Sequence, residues 1–399
     1  MRRDREGRGV IPARLTPMPT RRAAVALIAA PFLNLGRFRL FAQSNAEYSG
    51  RAIRLVQESL VIDMLNQFLY RQDQQAKLRQ WLSQPGAFTA ADFQRFLDTG
   101  INAASFGNGA DTYEDAIRLF ANWNSFLAQY PDWLLRIGAA SDFEKAKTSR
   151  HYGILFGIQN AAHFRRPDDV DTFYGLGQRV SQLTYNFRNL VGNGAFEPHD
   201  DGISEFGATI VERMNRTGMA VDCGHAGDRT MLDAFEISKR PVIISHGNCR
   251  ALNPGHPRCV TDEAIRKMAK TGGVMGINFI SFMVKDHEPT TVGDVIDHID
   301  YVTRLVGIEH VGVGSDFGIE SNDFAPPEVL NNILTHADKR YRVHRREAVG
   351  DLAGPNRTYV LTEALIRRKY TDAQIKLILG ENWRRALDSI WSSPTAADK

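Results

Sequence analysis

The feature that most constrains the fold of this 399-residue chain is a repeated alternation of short apolar runs with longer amphipathic segments. Short apolar runs that alternate with helical patterns favour βαβ units and a parallel sheet. Eight such units in one chain favour a closed barrel over an open sheet, so the expected fold class is α/β, a (β/α)8 TIM-type barrel. The candidate strands are residues 61–65, 101–106, 153–159, 181–185, 219–223, 242–245, 273–278 and 311–315.

The segments between these strands carry helix boundary signals. Thr89-Ala-Ala-Asp92 and Thr371-Asp-Ala-Gln374 have the residue types of N-terminal capping motifs. Gly100 lies where a helix would end before the second strand. Because no linker interrupts the alternation after residue 50, we expect residues 43–399 to form a single barrel domain.

The first 42 residues have the pattern of an export signal. Thr20-Arg21-Arg22 precede an apolar stretch from Ala23 to Leu33, as in twin-arginine or general secretory signals. That stretch is shorter than the roughly 20 residues that span a bilayer, so no transmembrane helix is expected. We therefore predict that residues 1–42 are an export signal and that the mature protein is periplasmic. A basic tail on a cytosolic protein is the alternative.

The basic charge of the chain is concentrated in this segment. Residues 1–42 contain nine arginines and two acidic residues, whereas the whole chain carries a formal net charge of +3. The remainder therefore carries −4, which gives no reason to expect a nucleic-acid partner. A homodimer is compatible with the sequence, but no feature of the sequence requires one.

Polar residues follow the predicted strands at the end where barrels place their chemistry. His225 and His246 follow the fifth and sixth strands, and Asp316 ends the last one. A lone histidine is usually structural, but two histidines and an aspartate at one mouth suit a zinc or acid–base site. Gln159 and Asn278 end two further strands of the same set.

Several ordered motifs resemble the membrane dipeptidases, a family of metal-dependent hydrolase barrels. The resemblance runs from about Val61 to Arg385 and is densest over residues 203–280. It rests on Met214-Asn-Arg-Thr-Gly-Met219, Val221-Asp-Cys-Gly-His225, Ser245-His246, His256-Pro-Arg258, Gly314-Ser-Asp-Phe317 and Gly380-Glu-Asn-Trp383. Each motif is weak by itself, whereas the ordered set on the expected strands is specific.

The resemblance implies roles for several residues of this chain. In the family, two zinc ions share a bridging carboxylate, and a bridging hydroxide attacks the peptide carbonyl. His225 and His246 match the two histidine ligands of one zinc ion, and Asp316 matches a proton-transfer residue. Arg258 matches the arginine that binds the substrate carboxylate, and we expect Asn278 to contact substrate as well.

Other positions depart from the family pattern. Leu65 and Gln67 stand where the family has a His-x-Asp pair, and Gln159 stands where it has the bridging glutamate. Leucine cannot bind zinc, and a neutral amide is a poor substitute for a carboxylate. Tyr185 replaces a histidine that contacts the reacting carbonyl. A two-metal mechanism is therefore not expected, and the cofactor prediction is one Zn²⁺ ion or none.

Three interpretations follow from these departures. In the first, one zinc ion binds His225, His246 and either Gln159 or Asp316, while Tyr185 donates to the oxyanion. In the second, no metal binds and the histidines and aspartate act as acid–base groups. In the third, the pocket only binds a small ligand or is inactive. The predicted function is hydrolysis of short peptides or related amides, with an inactive or metal-free ligand-binding homologue as the alternative.

Overall fold

The computed structural model describes residues 36–41, 46–329, 331 and 347–392. The chain divides into two units, Met1–Arg51 and Ala52–Lys399. In the first unit, strands β1 (Arg37–Phe38) and β2 (Tyr48–Ser49) pair antiparallel. Residues 1–35 of the predicted export signal lie outside the described residues, so the predicted division into signal and mature domain stays a prediction.

The second unit contains the predicted run of parallel strands in chain order. Its strands are β3 (Ile62–Asn66), β4 (Ala103–Phe106), β5 (Leu134–Ile137), β6 (Tyr152–Leu155), β7 (Gly157–Ile158), β8 (Val180–Gln182), β9 (Ala220–Asp222), β10 (Ile244–Cys249), β11 (Cys259–Val260), β12 (Met275–Ile277) and β13 (Val311–Val313).

These strands form three sheet segments that isolated parallel bridges join into a ring. The segments have the strand orders β3-β4-β6-β5, β7-β8-β9 and β11-β10-β12-β13. Strands β6 and β7 are nearly continuous, and bridges at Asp222↔Ile243 and Asn66↔Phe317 join β9 to β10 and the last strand to the first. The backbone N–H of Asp316 donates to Leu65 O at 2.8 Å at the same closure. The α/β barrel predicted from the sequence is therefore confirmed.

Helices connect the strands on the outside of the ring, as βαβ units require. In the part of the chain that the structure describes, the α-helices with both ends defined are Gly50–Glu58, Gln75–Ser83, Ala90–Asp98, Tyr113–Gln129, Ala140–Thr148, Asp169–Leu176, Glu205–Thr217, Asp228–Ile237, Asp262–Lys270, Ser281–Val284, Val292–Val306, Arg357–Arg367, Asp372–Lys376 and Asn382–Trp391. Capping boxes at Thr89 and Thr371 begin two of them, which confirms both predicted caps.

The N-terminal base of the barrel is closed by an apolar cluster. Residues near the beginnings of seven strands pack there with Trp383, Ala386, Leu387 and Ile390 of the last helix. This cluster leaves the opposite end of the ring, where the strands terminate, for polar groups. The strand residues are Ile62, Ala103, Leu155, Val180, Ala220, Ile243 and Val274.

Glycine permits the close strand packing beside the predicted histidine motif. A Cβ atom at Gly276 or at Gly314 would lie 2.1 Å or 1.9 Å from the carbonyl oxygen of Ser245. Backbone atoms cannot yield by that much, so both positions exclude a side chain. The neighbouring strands can thus approach β10 closely, immediately before His246.

The structure differs from the predicted strands in two details. Strand β5 was not predicted, and it pairs with β6 at the edge of the first sheet segment. His246 lies inside β10 and not after it, because that strand runs to Cys249.

No helix in the described part of the chain has the length and apolar character needed to cross a membrane.

Candidate active site

Two buried histidines meet at the C-terminal mouth of the barrel. The Nε2 atoms of His225 and His246 lie 3.0 Å apart, and the side chains are 6% and 0% exposed. The two histidines therefore lie together at the mouth of the barrel, as the sequence predicted. Asp222 places both, since its Oδ1 accepts from Gly224 N and from Ser245 N, each at 2.9 Å.

Each histidine is held through its other ring nitrogen. His225 Nδ1 contacts Asn186 Oδ1 at 2.7 Å, and His246 Nδ1 contacts Ser245 Oγ at 2.9 Å. Burial and the nearby Arg258 guanidinium hold the pKa of both imidazoles well below the ordinary value. Both rings are therefore neutral at pH 7, with orientations fixed by these contacts.

Arg258 lies directly against the histidine pair. Its NH2 group is 2.9 Å from His246 Nε2, and the residue is only 2% exposed. Its NH1 atom has no hydrogen-bond partner among the described residues. Burial lowers the pKa of the guanidinium, but arginine stays protonated in proteins. The site therefore contains a permanent buried cation.

Asp316 completes the cluster from the last strand. Its Oδ2 accepts from Asn278 Nδ2 at 3.1 Å and lies 4.0 Å from His246 Nε2. Burial raises the pKa of this carboxyl to about 7, against the opposing effects of Arg258 and Asn278. Its φ of 68° is in the left-handed region, an uncommon conformation for a non-glycine residue that occurs often at functional sites.

Asn278 uses both ends of its amide within the protein. Its Nδ2 donates to Asp316, and its Oδ1 accepts from Ile280 N at 2.6 Å. The side chain therefore holds Asp316 in place. The substrate contact predicted for Asn278 stays a prediction.

Tyr185 covers the histidine pair from the solvent side. Its ring stacks on His225 with centroids 4.2 Å apart and an interplanar angle of 29°. The residue is 43% exposed, so part of it faces the entrance to the site. This is the position at which the sequence comparison with the dipeptidases predicted a donor to the reacting carbonyl.

The two glutamines at the substituted ligand positions lie side by side. A Cβ atom placed on Gly107 would lie 2.3 Å from Gln67 Nε2 and 2.4 Å from Gln159 Nε2. Among the described hydrogen bonds, none joins the Gln159 amide to His225 or His246. Leu65, the third substituted position, is buried. The structure thus brings the two glutamines together, and neither side chain carries a charge.

These donors do not fit the two-metal centre of the family. Within the described residues, no group of three His, Cys, Asp or Glu side chains is arranged to hold a metal ion. His225 and His246 are suitable nitrogen ligands, but an N–H of Arg258 already occupies the Nε2 lone pair of His246. We therefore assign no chemical step to a metal ion.

Sequence reasoning missed the groups that orient the site. The two histidines are held by Asn186, Ser245 and Asp222. Asn186 directly follows Tyr185, and the other two residues belong to the motifs that contain the histidines. Asp63, which precedes the substituted ligand positions, accepts from Ser315 N and from Ser315 Oγ across the barrel closure. Each of these four residues lies close in sequence to a predicted site residue, and that proximity is the feature from which its role could have been predicted.

The fold and this mouth define a barrel of the amidohydrolase type. The sequence model of the membrane dipeptidase family (Peptidase family M19) matches residues 50–361, so the chain belongs to that family.

Two curated relatives are dipeptidases. Dipeptidase verJ of Clonostachys rogersoniana is 29% identical over 270 residues, which are 67% of this chain and 63% of that protein. Dipeptidase tcpJ of Claviceps purpurea is 38% identical over 192 residues, 47% of this chain and 45% of that protein. The chain thus spans less than two thirds of the length of either relative.

Solved structures share the fold over most of the chain. An amidohydrolase from Pseudomonas aeruginosa superposes with a TM-score of 0.72 at 28% identity, covering 85% of this chain and 99% of that one. A metallo peptidase from Rhodobacter sphaeroides, liganded with a phosphinate mimic of the dipeptide L-Ala-D-Ala, has a TM-score of 0.68 at 17% identity. It covers 83% of this chain and 99% of that chain, and at this identity the likeness concerns the fold alone.

Proposed function

We propose that this protein hydrolyses short peptides or related amides at the barrel mouth, with at most one divalent metal ion per chain. The observation that carries the proposal is the convergence of His225, His246, Arg258 and Asp316 within a barrel of the membrane dipeptidase family. A buried cation beside a carboxylate and two neutral imidazoles is an arrangement that can bind and polarise an amide.

Arg258 is the group that we assign to substrate binding. Its NH1 atom has no partner among the described residues, although burying an unpaired donor is costly. A substrate carboxylate would satisfy that donor and neutralise the guanidinium at once. We therefore expect the protein to prefer peptides with a free C-terminal carboxylate over internal peptide bonds.

Asp316 is the group that we assign to proton transfer. A water molecule loses a proton to the carboxylate as its oxygen bonds to the amide carbon, and the carbonyl oxygen becomes an oxyanion. The C–N bond then breaks, and the same proton passes from Asp316 to the departing amine. Asn278 holds the carboxylate through its 3.1 Å hydrogen bond throughout.

Tyr185 is the group that we assign to the oxyanion. Its ring rests on His225 and is partly exposed at the entrance, so its hydroxyl can reach a substrate that enters the mouth. A phenol donates one hydrogen bond and carries no charge at neutral pH. It can therefore replace the family histidine as a donor, although it cannot replace it as a base.

The proposal is tested by assaying the purified protein against a panel of dipeptides with His246→Ala and the exposed His287→Ala as matched variants. We expect turnover in wild type and His287→Ala, and loss of turnover in His246→Ala with the melting temperature showing that it folds. Ligand-induced thermal stabilisation without turnover in the wild type would overturn the proposal and favour a binding protein.

We also propose that the protein works outside the cytoplasm. This proposal is based on the arginine pair in Thr20-Arg21-Arg22 and on the short apolar stretch that follows it. Mass spectrometry of the native protein should find a mature N-terminus near Gln43 or Ser44. A terminus at Met1 or Met18 on all molecules would contradict export.

A further inference from the structure

A row of aromatic rings leads from Arg258 to the surface of the mouth. His256 Nδ1 accepts from Arg258 N at 3.2 Å, and the centroid of the His256 ring lies 6.4 Å from that of Phe196. The Phe196 ring lies 6.3 Å from the ring of Phe187. Phe196 is 8% exposed and Phe187 is 39% exposed, so the row begins beside the buried cation and ends at solvent.

The loop that carries both phenylalanines is held at its neck beside the histidine pair. Phe196 N donates to Asn186 O at 2.9 Å, and the Asn186 side chain contacts His225 at 2.7 Å. A Cβ atom on Gly194 would lie between 2.2 and 2.4 Å from backbone atoms of residues 185–187, so only glycine fits at this crossing. Both phenylalanine rings therefore have fixed positions relative to the catalytic groups.

The charged side chain next to Phe187 is bound within the same loop. Arg188 Nε donates to Asn193 Oδ1 at 3.1 Å, and its NH2 group donates to Asp201 Oδ2 at 2.9 Å. The guanidinium thus has acceptors inside the loop, and aromatic rings form the side that faces His256. An apolar surface that continues into a pocket is typical of a ligand-binding site.

The proposed orientation of the substrate determines which of its side chains lies here. A dipeptide with its carboxylate on Arg258 and its scissile carbonyl at Tyr185 has only its C-terminal residue between these two groups. Burial lowers the pKa of the Arg258 guanidinium, and Tyr185 is one of the neighbours that raise it, so the two side chains are close. The row formed by Phe187 and Phe196 borders the space between them.

We propose that Phe187 and Phe196 form the wall of a subsite for the side chain of the C-terminal residue, and that this subsite selects large apolar and aromatic residues. The inference rests on the proposed function for the place of the substrate carboxylate. Covering the exposed ring of Phe187 removes apolar surface from water, which favours an apolar side chain. A charged side chain here loses hydration and gains no partner from the rings.

The test compares the dipeptides Ala-Phe, Ala-Ala and Phe-Ala in steady-state kinetics with the full chain. We expect kcat/KM for Ala-Phe to exceed that for Ala-Ala by roughly 10–100-fold, because a C-terminal phenyl group is buried against the wall. The value for Phe-Ala should stay within about threefold of that for Ala-Ala, because an N-terminal phenyl group lies away from the wall.

Phe187→Ala should lower kcat/KM for Ala-Phe by about 10-fold and leave that for Ala-Ala nearly unchanged. Leu190→Ala is the matched control. Leu190 is 67% exposed on the same loop but lies outside the aromatic row, and its carbonyl accepts from Ser204 Oγ at 2.5 Å. We expect this control to keep the wild-type preference. Circular dichroism shows whether each variant is folded.

Equal kcat/KM for Ala-Phe and Ala-Ala would overturn the inference, and so would a preference that follows the N-terminal residue. A loss in Phe187→Ala that is the same for both substrates would overturn it as well. Calorimetric binding of the same dipeptides to Asp316→Asn separates this inference from the proposed function. Tighter binding of Ala-Phe than of Ala-Ala, with no turnover in wild type, refutes the proposed function and leaves the subsite standing.

Discussion

The NH2 group of Arg258 lies 2.9 Å from Nε2 of His246, the nitrogen that a metal ion would otherwise bind. Within the described residues the NH1 atom of Arg258 has no hydrogen-bond partner. We therefore expect Arg258 to bind a substrate carboxylate through NH1 while its NH2 group fixes His246.

Asp316→Asn tests the proton-transfer step. The substitution keeps the shape and the contact with Asn278 but removes the base, so we expect kcat to fall by about 10²–10⁴-fold. Asp286→Asn is the matched control, since that side chain is 67% exposed. Steady-state kinetics with one dipeptide measures both. Unchanged kcat in Asp316→Asn would remove Asp316 from the mechanism.

Tyr185→Phe tests the oxyanion donor. The ring can still stack on His225, so the loss is confined to one hydroxyl. We expect kcat to fall by roughly 10–10³-fold with little change in KM, because the hydrogen bond forms mainly in the transition state. A rise in KM alone would show that Tyr185 serves substrate binding and not the chemical step.

Gly107→Ala tests the packing of the substituted ligand positions. The new Cβ would lie 2.3 Å from Gln67 Nε2 and 2.4 Å from Gln159 Nε2, so both amides must move. We expect a loss of about 1 kcal/mol in the free energy of unfolding, because the amides lie at the ends of flexible side chains that can shift. Gly109→Ala is the control, because nothing lies within 4 Å of the added atom. Equal stability of the two variants in denaturant titrations would contradict this packing.

His163 gives a prediction about pH. It is fully buried, its Nε2 contacts Gln178 Oε1 at 3.2 Å, and burial lowers its pKa from 6.5 to about 4. A histidine with a depressed pKa contributes stability that is present above pH 6.5 and is lost as pH falls towards 4. The contribution is about 3 kcal/mol.

His163→Gln should therefore weaken the acid dependence of the unfolding free energy by about one proton between pH 4 and 6.5. Denaturant titrations across this range measure the slope. The exposed His287→Gln is the control, and it should leave the slope as in wild type. A wild-type slope in His163→Gln would show that this histidine does not stay neutral in the fold.

The barrel and the histidine pair could be predicted because both depend on local patterns. Apolar runs located the strands, and the rule that barrel chemistry lies at strand ends brought His225 and His246 to one mouth. The contact of Arg258 with His246 could not be predicted in this way. It depends on a loop that returns to pair β11 with β10, and spacing along the chain does not specify that pairing.

The burial of two further residues, His163 and Asp63, could not be predicted from the sequence either. His163 lies two residues before Arg165 and Arg166, a polar stretch typical of an exposed loop, yet it packs against Phe164 and Phe173 in the core. Asp63 lies in the first strand, and its carboxylate accepts a hydrogen bond from Ser315 N across the barrel closure, which the sequence does not specify. The burial of His163 depends on how its ring packs against neighbouring aromatic rings. The role of Asp63 depends on a contact between two segments that are distant in sequence.

Restoring the family ligands tests whether their substitution limits metal binding. The variant Leu65→His, Gln67→Asp, Gln159→Glu adds two carboxylates and a histidine to the site. We expect zinc content to rise towards two equivalents, because the added histidine supplies a ligand and the added carboxylates can balance the charge of the ions. Zinc content equal to that of wild type, in a folded variant, would show that substitution at these positions does not control metal binding.

The most direct test of the whole account measures dipeptide hydrolysis and metal content on the same preparation. We predict amino-acid release by protein that contains no more than one zinc per chain. Hydrolysis that appears only as the second equivalent of zinc is bound would contradict the account.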